Sequence, residues 1–216
     1  MSSVGYAAPL PASRTPALFG RVMALVALTV GFATLGVYLG RNLGGAGWFV
    51  AWLIALGCLV GLNVANARGA HGLALALLLA FGVLIGASVA TTINYYSVTD
   101  PTAVRQAFGA TALFVGGLGA GGYAIRRDLS FLYRTLFWLL LALIGAGVVL
   151  IFVRIPGAYT LYALAGLAIF GLYTVVDFNR LRHAGTSEAI PLAAGIFLDV
   201  LNIFLLFLRL FAGRSS

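Results

Sequence analysis

Only five acidic residues occur in this 216-residue chain, and two of them, Asp177 and Asp199, lie inside long apolar runs near its C-terminus. A carboxylate in the middle of a bilayer costs about 2.5–3.5 kcal/mol on insertion scales, so one placed there usually has a job. The aspartate side chain is too short to reach an interface from ten residues into a span. If the runs holding Asp177 and Asp199 form a helical hairpin turning near Ser187–Glu188, both carboxyl groups reach nearly the same depth at 1.5 Å per residue. At a separation of about 4 Å and an effective dielectric near 20, their repulsion is roughly 4 kcal/mol. Such a pair shares one proton and titrates as a unit; it can bind a cation or sense pH. Asn202 belongs with them: Gly195, Asp199, Asn202, Leu206 and Arg209 recur at helical spacing and share one face, while the other faces carry Phe, Leu, Ile and Val. A structural alternative stays open, with Asp177 at an interface and Asp199 neutralised by an arginine.

The elements that must position these residues are membrane helices. Apolar residues make up 62% of the chain and charged residues 8%, against about a quarter charged in soluble domains. Mean hydropathy is +1.07. A water-facing surface cannot be built from so few polar groups, which excludes a soluble enzyme, a nucleic-acid binder and a disordered chain. The net charge of +8 comes from 13 arginines and no lysine, and the arginines flank apolar runs as they do in membrane proteins. Without lysine there is no retinal Schiff base. Cys58 is the sole cysteine, so neither an intramolecular disulfide nor a cysteine metal cluster can form.

Seven spans of about the length a bilayer requires are predicted: Ala17–Gly40, Gly47–Asn66, Ala70–Ile93, Ala103–Ile125, Leu129–Val153, Ala158–Arg182 and Ala189–Phe211. This gives an all-α integral membrane domain over 17–211, between a mobile tail at 1–16 and a short tail at 212–216. Breaks are expected at Arg41-Asn42, Arg68-Gly69, Tyr95-Tyr96 running to Asp100-Pro101, Arg126-Arg127-Asp128, Arg154 with Pro156-Gly157, and Arg180 through Pro191. Asp128 or Ser130 is positioned to cap the fifth helix. Eight arginines fall on the side of the N-terminal tail (14, 21, 68, 126, 127, 134, 180 and 182) and five on the other (41, 105, 154, 209 and 214). That bias places the N-terminus in the cytoplasm and the C-terminus outside. Trp48, Trp52, Trp138, Tyr95 and Tyr96 fit interfacial belts, and His71 and His183 fall in loops.

Glycine occurs 28 times. The pairs Gly36/Gly40, Gly57/Gly61, Gly82/Gly86 and Gly117/Gly121 have the four-residue spacing that lets helix backbones approach, and predict tight intramolecular packing. Gly117-Leu118-Gly119-Ala120-Gly121-Gly122 also spells a dinucleotide fingerprint, but it lies within an apolar span with no strand before it. It is read as a coincidence.

The C-terminal third resembles a known family. Leu172-Tyr173-Thr174-Val175-Val176-Asp177-Phe178-Asn179, then Ile190-Pro191, then Phe197-Leu198-Asp199-Val200-Leu201-Asn202-Ile203-Phe204 with Leu208-Arg209, is similar to the signature of the Bax inhibitor-1 family. Arg126-Arg127-Asp128-Leu129-Ser130-Phe131-Leu132 resembles a loop of its bacterial members. The resemblance implies six helices around a central seventh and a pH-dependent calcium leak, with Asp177 and Asp199 as proton sensor and gate. It implies calcium as a permeating ion held transiently by Asp177 and Asp199, with no tightly bound cofactor and no enzymatic activity. In bacterial relatives an arginine at the end of the second span latches onto the sixth-span aspartate; the matching position here is Asn66, with Arg68 two residues on. The expected partners are the lipid bilayer, calcium and protons, with no nucleic acid, and the expected location is a bacterial inner membrane. Two other chemistries are compatible with the composition. A proton-coupled carrier of a small solute would normally show repeated halves, and no repeat is evident. An intramembrane aspartyl protease would resemble Tyr-Asp plus Gly-x-Gly-Asp, where this chain has Val176-Asp177 and Leu198-Asp199.

Overall fold

The computed structural model describes residues 14–153 and 156–212, with side chains from residue 17 onward. The tails expected at 1–16 and 212–216 therefore lie largely outside the described residues, as do Arg154, Arg214 and the side chain of Arg14. Among the described residues there are seven α-helices and no strand: α1 (Arg14–Gly40), α2 (Gly47–Ala67), α3 (His71–Thr99), α4 (Pro101–Ala124), α5 (Leu132–Phe152), α6 (Ala158–His183) and α7 (Ala189–Ala212). A short 3-10 turn, Thr186–Glu188, joins the last two. All seven helices are long and apolar enough to cross a membrane. Their outward surfaces are greasy to a degree water would not tolerate: Leu113 is 81% exposed, Ile151 75% and Phe152 80%. This is an integral membrane protein.

The helix ends follow from local chemistry. α2 stops at Gly69, whose φ of +75° lets Ala70 N–H reach back to the Ala65 carbonyl at 2.9 Å, a Schellman closure. α3 continues six residues beyond its predicted end, straight through Tyr95-Tyr96. Its true stop is the Asp100-Pro101 pair, because the residue before proline is driven out of the helical region. Asp100 then starts α4, its carboxylate accepting from Ala103 N–H at 2.9 Å with Pro101 in the first turn. The cap expected for α5 is corrected. Asp128 accepts instead from Ser130 N–H at 2.9 Å, closing the turn before the helix, and α5 begins at Leu132 without a side-chain cap. The Ser130 hydrogen bonds hold the Asp128 carboxyl below the usual carboxylate range.

α7 is the most buried helix and α5 the least. α7 packs chiefly on α6, α4 and α1 and also reaches α2 and α3. The ring of six helices that the resemblance implies around it is not closed, since α5 has its principal contacts with α6. On the other flank α3 is sandwiched between α1 and α2. There Gly36, Gly40, Gly82 and Gly86 form the α1–α3 contact: a methyl group at Gly86 would lie 2.8 Å from the Ala33 carbonyl carbon. The Gly117/Gly121 pair does no such work, because both face open space. α4 approaches α6 through Gly119, beneath the Phe178 ring, and Gly122, against the Val175 backbone.

Gly86→Ala is therefore expected to cost about 1–3 kcal/mol through overpacking, and Gly117→Ala to be close to neutral. Unfolding in mild detergent, followed by helical circular dichroism, compares them; equal stability of the two variants would contradict the assigned helix contacts.

Candidate functional site

The α6–α7 pair carries the polar interior. α6 is apolar along most of its length yet buries Thr174, Asp177 and Asn179, and α7 buries Asp199; the two aspartates are only 6% and 4% exposed. Their register is set by small groups. A Cβ at Gly195 would lie 2.6 Å from Asp177 Oδ2, so this carboxylate rests against the α7 backbone where a side chain is missing. One turn along, Thr174 stands beside Asp199. Asp177 opposite Gly195 and Thr174 opposite Asp199 describe one antiparallel register. It offsets the two carboxylates by three to four residues, or about 5 Å along the helix axes. They are thus staggered by a turn and not level, as the turn-centred estimate expected, while remaining within electrostatic reach of each other and of Tyr173.

Each carboxylate has a different environment. The Tyr133 hydroxyl, from the first turn of α5, donates to Asp177 Oδ1. Arg180, one turn beyond Asp177, lies over the Tyr133 ring at 5.8 Å from its centroid. Its guanidinium donates through Nε and Nη2 to Glu188 Oε2, at 3.0 and 2.5 Å. Asp199 has no comparable clasp. Its Oδ2 is buried without a hydrogen-bond partner, and the Thr174 hydroxyl commits its only hydrogen to the Phe170 carbonyl at 2.9 Å.

Neither candidate latch residue reaches Asp177. Asn66 Nδ2 donates to the Ser187 carbonyl at 2.9 Å and its Oδ1 faces His71 Nδ1 at 3.2 Å, so it ties α2 to the α6–α7 turn. Arg68 is exposed. The only ion pair among the described residues is Arg180–Glu188. Tyr133, Arg180 and Glu188 were missed as site residues. Arg180 was the legible one, three residues after Asp177 on one helix face; nothing in the α5 sequence marks Tyr133 as facing inward.

Asn179, fully buried, serves a different structure. Its Nδ2 donates to the carbonyls of Ile125 at 2.8 Å, Arg127 at 3.0 Å and Gly122 at 3.3 Å, and its Oδ1 accepts from Leu129 N–H at 2.9 Å. It thereby fixes the α4–α5 loop to α6. Asn202 donates to the Leu198 carbonyl at 2.8 Å and lines a cavity of about 730 Å³ walled by α3, α5, α6, α7 and the start of α2. Thr91, Thr92, Tyr95 and Arg209 also line it, Arg209 from the last turn of α7. Among the described residues no three His, Cys, Asp or Glu side chains cluster as metal ligands. A cation at this site would have two carboxylates and neutral oxygens to bind.

The family described as "Inhibitor of apoptosis-promoting Bax1" matches residues 15–216. The chain belongs to the Bax inhibitor-1 family. Similar curated proteins include the inner membrane protein YbhL of Escherichia coli, 27% identical over 57% of this chain and 58% of its own. An uncharacterised membrane protein of Vibrio cholerae is 26% identical over 52% and 51%, and a Deinococcus radiodurans protein 29% identical over 53% and 54%. The chain spans about half the length of the curated relatives it matches. In this Bax inhibitor-1 family member the paired aspartates and the Asn179 anchor sit on the same helix hairpin, so its rigidity is open to direct test. Asn179→Ala orphans buried backbone groups and is expected to cost about 1–3 kcal/mol. Faster deuterium uptake across 125–132 is the accompanying signature, and unchanged uptake there would contradict the anchoring role.

Proposed function

We propose that this membrane protein is a pH-sensitive calcium leak whose gate is the Asp177–Asp199 pair. The observation that carries the reading is the unpartnered, buried Asp199 Oδ2, one turn from a second buried carboxylate and one turn from Asn202 at the edge of the cavity. An orphaned carboxylate oxygen in a dry interior is stabilised by a proton or by a cation, and the two compete for it. With a proton, Asp199 can donate to the Thr174 oxygen beside it. Without it, the pair presents two negative charges to an entering ion. Asn202 spends its amide hydrogen on Leu198, which leaves Oδ1 as the next oxygen along the path toward the cavity. Two carboxylates and neutral oxygens make a weak divalent site, and weak binding is what a leak needs if the ion is to leave.

Asp177 is the restrained partner in this mechanism. Tyr133 supplies the hydrogen bond where the resemblance implied an arginine from the second span, and Arg180, tied to Glu188, holds the tyrosine ring from the other side. That ion pair is partly exposed, 40% and 37%, so it contributes at most about 1 kcal/mol and opens readily. The reading places the N-terminus in the cytoplasm, on the arginine bias, and the protein in a bacterial inner membrane, on its likeness to YbhL.

The test is calcium flux into proteoliposomes across roughly pH 5.5 to 8. Wild type is expected to show a pH-dependent flux, and Asp177→Asn and Asp199→Asn each to flatten that response. Tyr133→Phe is expected to raise flux several-fold by releasing Asp177 while keeping a pH response. Wild-type liposomes that pass no calcium at any pH would overturn the leak, and saturable uptake of an organic solute would put a carrier in its place.

A further inference from the structure

The cavity that Asn202 lines has a lopsided charge. Its walls are aromatic (Trp48, Trp52 and Tyr95 among them), hydroxyl, amide and aliphatic, and one charged side chain borders it, Arg209. Arg209 lies on the same stripe of α7 as Asp199, ten residues on, or about 15 Å along the axis at 1.5 Å per residue. It is three residues from the helix end at Ala212, where the carbonyl end of the helix dipole keeps a cation charged. Among the described residues no carboxylate forms an ion pair with Arg209, and the sole such pair is at the opposite end of the bundle. The remaining described arginines near this end are engaged elsewhere: Arg41 sits over the Tyr38 ring at 4.3 Å, and Arg105 donates to Thr102 at 3.3 Å. In the fold Arg209 borders the same cavity as Asn202, which lies one turn from Asp199.

We propose that Arg209 is an electrostatic valve bordering the α7 cavity, limiting cation passage and holding back divalent ions more strongly than monovalent ones. This rests on the leak reading. The energy of an ion in the field of a fixed charge scales with the ion's own charge. If removing the guanidinium raises monovalent flux by a factor f, the barrier change is doubled for calcium and its flux rises by about f squared. The effect is greatest at low ionic strength, because Arg209 is exposed and its field is screened within about 10 Å at 0.1 M salt.

The experiment measures potassium and calcium flux in proteoliposomes at low and at high salt, for wild type, Arg209→Gln, Arg209→Glu and Arg209→Lys. Arg209→Gln is expected to raise calcium flux several-fold and by more than potassium flux. Arg209→Glu raises both further, Arg209→Lys resembles wild type, and high salt brings all four together. Equal gains for the two ions, or gains that survive high salt, would mean a steric plug and overturn the valve. Unchanged flux in Arg209→Gln, with wild type conducting, overturns the valve while leaving the leak intact. Wild-type liposomes that conduct no cation overturn the leak, and the valve with it.

Discussion

Asp177 is a buried carboxylate pressed against the backbone of α7 at Gly195, and much of the interior follows from that contact. A methyl group at 195 would lie 2.6 Å from Asp177 Oδ2, so the carboxylate would have to shift to admit it. Because Gly195 receives Asp177, the antiparallel register is fixed. Asp199 then falls opposite Thr174, a turn away from Asp177, with a hydroxyl whose hydrogen is already given to Phe170. The two aspartates thus occupy unlike environments although they lie on one hairpin. Asp177 has a donor supplied by α5, and Asp199 has an oxygen with none.

The hairpin is held at its turn by neutral hydrogen bonds more than by charge. Asn66 grips the Ser187 carbonyl, and Asn179 gathers the α4–α5 loop through three bonds and the last turn of α4 through a fourth. Amides suit this role inside a membrane protein, since they satisfy backbone groups without carrying a charge into low dielectric. Where the family resemblance implied a second-span arginine, Asn66 therefore supplies a different kind of restraint. A charged latch on the aspartate gives way to a tether on the turn, and the aspartate's partner becomes a phenol.

The charges that remain are placed at the two ends of the bundle. Arg180 and Glu188 close the hairpin end, while Arg209 borders the cavity at the other. Between them lie two buried acids and no buried base. On the proposed leak reading the interior would attract a cation and Arg209 would oppose it, so that gating and selectivity would belong to different residues.

Much of this was legible in the sequence. Hydropathy alone determined an integral membrane protein of seven spans, because desolvation of each residue is a local cost that sums along a helix. The same cost marked Asp177 and Asp199 as inward-facing, but the α7 stripe did not single out one inner face: Arg209 is exposed and Gly195 and Asn202 half-buried, while Ile196, Phe197, Ile203 and Phe204 on the other faces are buried. The end of α2 at Gly69 was legible, but Tyr95-Tyr96 put the end of α3 six residues short of Asp100-Pro101, because aromatic residues sit in a helix without strain. Only the tertiary structure decided the one-turn stagger of the carboxylates, the choice of Tyr133 over Asn66 or Arg68, and the position of Arg209 on a cavity. These depend on the rotation and sliding of helices that are distant in sequence, and packing at single glycines settles them with no trace in composition or periodicity.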